Sequence, residues 1–347
     1  MSQPHPYSDL PARAFWKRSV PDRHFADLSD LWDGMELTRA DKVATAGSCF
    51  AQHLGRNLAQ RGANFMDMEP APDFLPDADS RRRWGYDVYS CRYGNIYTVR
   101  QLRQLVEEAF GLRRPAETVW RMGGRFVDAL RPNIDPAGQP DAGTVRRLRA
   151  RHLGRVREML TGLDVLVFTL GLTEAWASRE DGTVYPTAPG TIAGTYDPAR
   201  HEFLNFRYPE VMADLEAAWQ LIRAENPDAR LLLTVSPVPL AATASGQHVL
   251  TATTFSKSTL RAVAEDFVAV HPEATYFPSY EIITAPVGRG MYFDPDWRGV
   301  NPYGVEMVMR HFFSGRLGPH FGAAAPMAEE GDVICDEEAM MEAVEGA

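Results

Sequence analysis

A chain of 347 residues with 45% hydrophobic and 24% charged content has the make-up of a globular protein with a sizeable core. Its formal net charge of −10 argues against nucleic acid, and against an anionic membrane surface, as partners. No apolar run approaches the roughly 20 residues that span a bilayer, and the N-terminus lacks the charged and apolar regions of a signal peptide.

Residues 1–40 are rich in Pro, Trp and Phe but weakly periodic, and read as an extended arm packed over the main domain. From Lys42 the chain begins as a short apolar, β-prone run, turns at Gly47, and continues with helical spacing to Leu58. Phe50, Leu54 and Leu58 share one face of that helix. A strand that turns into a helix this sharply sets Ser48 and Cys49 at a helix N-terminus, where unpaired N–H groups and the dipole favour an anion. A thiol there has its pKa lowered towards neutrality, and the thiolate is the nucleophile. The plain alternative is a cysteine that fills space beneath a turn. The local pattern leaves both open.

Further on, Ala63–Met68 reads as a second short strand, and the prolines of residues 68–76 exclude regular structure there. A helix over Arg100–Phe110 stops at Gly111, and Val119–Val127 reads as a hairpin turned at Gly123-Gly124. The arginine-rich stretch Arg146–Leu160 reads as a solvated crossover helix. Asp164–Leu170 is apolar almost throughout, as a central parallel strand buried on both faces must be. Residues 178–207 have little periodicity and form a long insertion after that strand, a place where loops shape binding sites. Helices over 210–225, 256–270 and 301–313 then alternate with strands at Ala229–Val235 and Ala274–Pro278. Strands separated by helices predict an α/β fold with a parallel sheet and helices on both faces. One domain is expected over residues 41–320, flanked by the arm and by an acidic tail over 321–347. Three cysteines, Cys49, Cys91 and Cys335, show no pairing pattern and suit a reducing compartment, so the expected location is the cytoplasm.

The sequence Gly47-Ser48-Cys49-Phe50-Ala51 resembles the signature of the GSCFA domain family, which is similar to the SGNH (GDSL-type) hydrolases. The resemblance implies a three-layer, flavodoxin-like sandwich. Against the Gly-Asp-Ser-Leu of those hydrolases, Cys49 rather than Ser48 takes the nucleophile slot. Their second block supplies a glycine whose N–H helps bind an oxyanion; Gly94 of Arg92-Tyr-Gly-Asn-Ile-Tyr-Thr98 fits it, with Asn95 as a further donor, although a turn glycine is an equal reading. Their Gly-x-Asn-Asp block corresponds to Gly171-Leu-Thr-Glu174, so Thr173 stands in the place of the oxyanion Asn and Glu174 could orient a base or substrate. Their Asp-x-x-His block corresponds to Asp296-Trp-Arg-Gly299: the Asp is present and glycine holds the slot of the general base.

A base must then come from elsewhere. His248 follows the fourth strand on the expected rim, and His53 lies one turn after Cys49; the sequence ranks His248 first. Ser256-Lys257-Ser258 reads as a solvated helix start with Lys257 a possible anion contact. The sequence carries no metal-ligand spacing and no nucleotide loop, so neither metal nor cofactor is expected. Two functions are consistent with all this. The first is a Cys-dependent acyl hydrolase or acyltransferase acting on an ester or thioester of a small molecule, carbohydrate esters among them. The second is a catalytically degenerate domain that binds a carbohydrate or a protein.

Overall fold

The run that starts at Lys42 pairs with parallel neighbours on both sides, and the rest of the chain is layered around it. The computed structural model describes residues 5–28 and 30–321. The N-terminal segment contributes only a short 3₁₀ turn and helix α1 (Trp16–Ser19) before it runs extended, burying Trp32, Met35 and Leu37. The Trp32 ring packs edge-on to Phe277 at 4.8 Å and stacks on Phe312 at 5.5 Å between centroids. Strand β1 (Lys42–Gly47), helix α2 (Ala51–Gln60) and strand β2 (Asn64–Phe65) follow, then α3 (Ala78–Arg83) and α4 (Val99–Ala109). A hairpin of β3 (Val119–Met122) and β4 (Arg125–Asp128) turns at Gly123-Gly124 as predicted, and α5 (Ala142–Gly162) leads back to the central β5 (Val165–Leu170).

Strands β6 (Glu174–Ser178), β7 (Val184–Tyr185) and β8 (His201–Asn205) come next, and the chain then alternates through α6 (Tyr208–Glu225), β9 (Arg230–Val235), α7 (Val249–Val270) and β10 (Ala274–Tyr276). Helices α8 (Ser279–Thr284), α9 (Pro302–Phe312) and α10 (Gly318–Phe321) complete the described chain. The main sheet is parallel throughout, in the order β2-β1-β5-β9-β10. Counted along the chain, its strands stand in the flavodoxin-like order 2-1-3-4-5.

Alternate residues of each strand serve opposite layers, as the period of two requires. Ala44, Ala46, Leu166, Phe168, Leu231 and Leu233 face a core shared with α4, α5, α6 and α7. Val43, Val165, Val167 and Leu232 face a second core closed by α2, α8, α9 and the N-terminal segment. The protein is therefore an α/β three-layer sandwich. Among the described residues no helix is long and apolar enough to cross a membrane.

Three expectations change. The 178–207 insertion holds strands: β6, β7 and β8 form a separate antiparallel sheet in the order β7-β6-β8, with Trp176 between Tyr196 and Phe203. Helix α5 is not solvated all round, because Arg149 and His152 are turned inwards and buried. Ser256-Lys257 is no helix start; α7 begins at Val249, and both side chains are buried two turns along it. The acidic tail, with Cys335, lies outside the described residues apart from Phe321.

Candidate active site

In a sheet ordered 2-1-3-4-5, the chain leaves the first and third strands towards opposite faces, which opens a crevice between their carboxyl ends. Gly47 ends β1 at that crevice. Its φ of +135° lies where side chains are rarely accommodated, and an added Cβ would stand 2.4 Å from the Thr169 carbonyl oxygen of β5. Only glycine lets the two backbones come this close. Ser48 then donates its N–H to the Thr169 oxygen at 3.1 Å, and the Ser48 and Cys49 carbonyls accept from Ala51 and Gln52 to start α2. Cys49 thus stands at the threshold of a ten-residue helix and is 5% exposed.

Two of the predicted blocks converge on this turn. Ile96 N–H donates to the Gly47 carbonyl at 2.8 Å, which ties the Arg92–Thr98 loop to the end of β1. The Tyr97 carbonyl accepts from both Gly171 and Leu172 N–H groups. Gly171 sits so close that an added Cβ would be 3.0 Å from the Ser48 Cβ. Beneath the turn, the Tyr89 hydroxyl donates to the Ser48 carbonyl at 3.1 Å and also pairs with Asn95 Oδ1, which accepts from Gln52 Nε2 at 3.3 Å. Asn95 therefore holds the turn from below. The Ser48 hydroxyl is buried with no hydrogen-bond partner among the described residues.

The other predicted residues have different placements. Gly94 has a φ of +70°, and a side chain there would meet Arg131 and Ile134; it is the glycine of a turn two residues before the contact with Gly47. The Thr173 hydroxyl donates to Asn205 Oδ1 at 2.8 Å and its N–H to Ser256 Oγ at 3.0 Å, so this fully buried residue ties β8 and α7 to the end of β5. Glu174 Oε1 accepts from the Thr243 hydroxyl at 2.6 Å. His53 is buried on α2, one turn after Cys49, its ring 5.4 Å from that of Phe50. His248 is exposed and caps α7, its Nδ1 accepting the Leu250 N–H at 3.1 Å. Asp296 Oδ1 accepts from the N–H groups of Arg298 and Gly299 in its own exposed loop. An added Cβ at Gly299 would lie 2.6 Å from Asp294 Oδ2.

Sequence reasoning did not place Lys257 in this region. It is 2% exposed, and its ammonium donates to the Gly171 carbonyl at 2.6 Å. Its spacing within α7 puts it on the sheet-facing side, a signal hidden by the polar residues around it. Beside this rim is a cavity of about 400 Å³, bordered by Tyr97 and Leu172, by β6 and the 185–191 loop, and by residues 240–244 after β9. Tyr97 and Leu172 flank the Gly171–Ser48 contact, so the cavity approaches the cysteine turn through Gly171, although neither Ser48 nor Cys49 lines it.

A second polar centre is built quite differently. Arg149 Nη2 reaches Glu108 at 2.6 Å and its Nη1 reaches Asp128 at 3.1 Å, while Arg131 Nε meets Asp128 at 2.8 Å. Burial would raise the Asp128 pKa, but the Arg149 and Arg131 charges and hydrogen bonds hold it at about 2. His152 Nδ1 donates to Glu69 at 2.6 Å. Burial and the nearby Arg131 push the His152 pKa down to about 4, so the ring is neutral at pH 7. The cavity next to this cluster is about 30 Å³, large enough for little more than water. Burial pushes the nearby Cys91 thiol far up, which leaves it unreactive. Among the described residues no group of three His, Cys, Asp or Glu side chains is arranged to hold a metal.

No curated protein is similar enough to this sequence to match it. The match to a family model covers residues 42–312, from the first residue of β1 to the last of α9, and on that match the chain belongs to the GSCFA family.

Proposed function

We propose that the protein is a Cys49-dependent acyl hydrolase or acyltransferase of SGNH-like design, acting on an ester or thioester. The observation that carries this reading is the position of Cys49: at a helix threshold, in the crevice of a parallel sheet, with a cavity of ligand size beyond the neighbouring Gly171-Leu172. In the proposed step the Cys49 sulfur adds to the acyl carbonyl and forms a C–S bond as the alcohol or thiol leaves with a proton. Water or an acceptor hydroxyl then attacks the thioester, takes the acyl group and returns the proton to sulfur.

The ranking of bases turns over in this reading. A neutral histidine whose Nδ1 accepts a hydrogen bond carries its proton on Nε2, so His248 in its capping state presents a donor and not a base. His53 shares a helix face with the start of α2, and helical side chains lean towards the N-terminus, over the cysteine. His53 is therefore assigned as the proton acceptor. The test is turnover of an ester and thioester panel by the parent and by Cys49→Ala, with His53→Ala as the third protein. Cys49→Ala is expected at the uncatalysed background and His53→Ala lower than the parent by roughly 10²–10⁴-fold.

The second reading, a domain that binds without turning over, is favoured by Gly299. The slot of the usual base lacks a side chain, and Asp294 occupies the space one would need. A parent protein that sits at the Cys49→Ala background across the whole panel would decide for this reading.

A further inference from the structure

The cavity beside the cysteine turn has a lining that says what it can hold. Its walls are largely apolar: Leu172, Ala175, Trp176, Phe203, Leu240 and Ala242. Several polar atoms that border it are committed within the protein, while the buried Thr187 hydroxyl has no partner among the described residues. Gln101 Oε1 accepts from the N–H groups of Tyr97 and Thr98, Glu174 Oε1 from Thr243, and the Thr191 hydroxyl donates to the Ala188 carbonyl at 2.7 Å. A sugar ring brings a hydroxyl on nearly every carbon, and each one buried without a partner costs about 1–3 kcal/mol. A hydrocarbon chain brings no such groups, and its methylenes match the largely apolar walls. A carboxylate is disfavoured as well, since Glu174 adds a negative charge to the wall.

We propose that this cavity is the acyl subsite, and that it takes an uncharged, unbranched acyl chain of medium length, about six to ten carbons, with its carbonyl at the Cys49 end. The substrate class is then a medium-chain acyl ester or thioester rather than a small acyl group on a carbohydrate. This rests on the proposed acyl chemistry at Cys49 for its direction but not for its binding. At about 400 Å³ the space is at the lower end of ligand pockets, suited to one chain and not to a whole lipid. Specificity falls to Trp176 and Ala242. Trp176 is held between Tyr196 and Phe203, whose centroids lie 5.2 and 5.7 Å away, and forms a fixed wall. Ala242 lies on the exposed loop after β9, where a larger side chain reaches the cavity without disturbing the core.

The test measures binding separately from turnover. Cys49→Ala protein is titrated calorimetrically with acetamide, butanamide, hexanamide and octanamide, and the parent is assayed on acetyl to decanoyl esters. Each added methylene should strengthen binding about fourfold until the cavity is filled. Ala242→Trp should shorten the optimum by several carbons, and Trp176→Ala should move it towards longer chains. That second shift is a gain, which a merely damaged fold would not produce. Amide affinity flat with chain length, unaffected by Ala242→Trp, overturns the proposal, as does tighter binding of benzamide than of octanamide. If acetyl esters turn over at Cys49 with no gain for longer chains, the catalytic reading stands and this subsite falls. If the amides bind with the expected dependence but no ester is hydrolysed, the subsite stands and the catalytic reading falls.

Discussion

The cysteine turn and the arginine cluster are both buried polar centres on the same α/β frame, and they are built on opposite plans. Around Arg149 the charges are matched: Glu108, Asp128 and Arg131 converge within 3.1 Å, and the space left over is about 30 Å³. Around Cys49 the polar groups are hydroxyls, amides and backbone, with one buried cation, Lys257, held on the Gly171 carbonyl; the Ser48 hydroxyl is without a partner among the described residues, and about 400 Å³ begins next to Tyr97 and Leu172. A network whose charges are all spent on one another can hold two elements in register but has little left to offer a ligand. Buried groups with unused capacity beside open space are what binding requires. The lowered pKa values of Asp128 and His152 thus accompany a centre whose partners are structural. Residues with shifted titration are functional candidates only until their partners are counted.

The sharpest way to break this contrast is to empty each centre of its principal residue. Arg149→Met leaves Glu108 buried without its cation and Asp128 with Arg131 alone, and is expected to cost about 3–5 kcal/mol of stability in urea unfolding. The KM of the protein that stays folded, for any ester the parent hydrolyses, should be unchanged. Cys49→Ala should do the reverse and leave the unfolding free energy within about 1 kcal/mol of the parent. An Arg149→Met protein of parental stability but altered KM would show that the cluster belongs to the site after all.

A pH titration of stability sharpens the comparison further. The folded pKa of His152, about 4, lies below its ordinary value of 6.5. Between those values the unfolded chain takes up a proton that the folded chain refuses, so stability falls as the pH falls, by up to about 1.4 kcal/mol per unit. Glu69 and Asp128, each held at about 2 by cationic and hydrogen-bonding neighbours despite their burial, extend the loss below pH 4.5 with the same sign. His152→Gln keeps a donor for Glu69 and should flatten the upper window. His311, whose pKa is also lowered by burial, should leave a residual slope there. Thermal midpoints from pH 7 to 4 read the difference directly, and identical slopes in the two proteins would mean that His152 does not titrate as its surroundings require.

The same contrast explains what was legible in the sequence. Strands β1, β5 and β9 announce themselves because a strand buried on both faces must be apolar throughout, and the turn at Gly47 because a local backbone need is met by a local residue. The arginine cluster was invisible for the opposite reason. Arg149 looks like any solvated helix cation until Glu108 and Asp128, distant in sequence, are brought against it. Lys257 was misread in the same way, since its partner is a backbone carbonyl 86 residues earlier. The β6–β8 sheet was missed because its strands are short and their pairing spans a loop of mixed Gly, Pro and Thr, whose composition reads as irregular. At the candidate site, what depended on Gly47, Ser48, Cys49 and Gly171 could be anticipated; which donors face the turn could not, because Tyr89 and Gln52 reach it only through the fold.

His248 gives the smallest expected effect and the finest cut between scaffold and site. Its ring nitrogen satisfies the Leu250 N–H at the start of a 22-residue helix, a capping contact of about 0.5–2 kcal/mol. Loss of the ring should cost stability in that range and little activity, since the capping tautomer has no lone pair to offer a thiol. His248→Asn should restore the stability, because asparagine is among the best N-caps, yet it has no group that titrates near neutrality. The pair of variants thus separates cap from base. Stability recovered in His248→Asn with activity unaltered in both keeps His248 in the scaffold. Activity lost in both, whatever the stability, would bring the loop after β9 into the chemistry and require the cap to open during turnover.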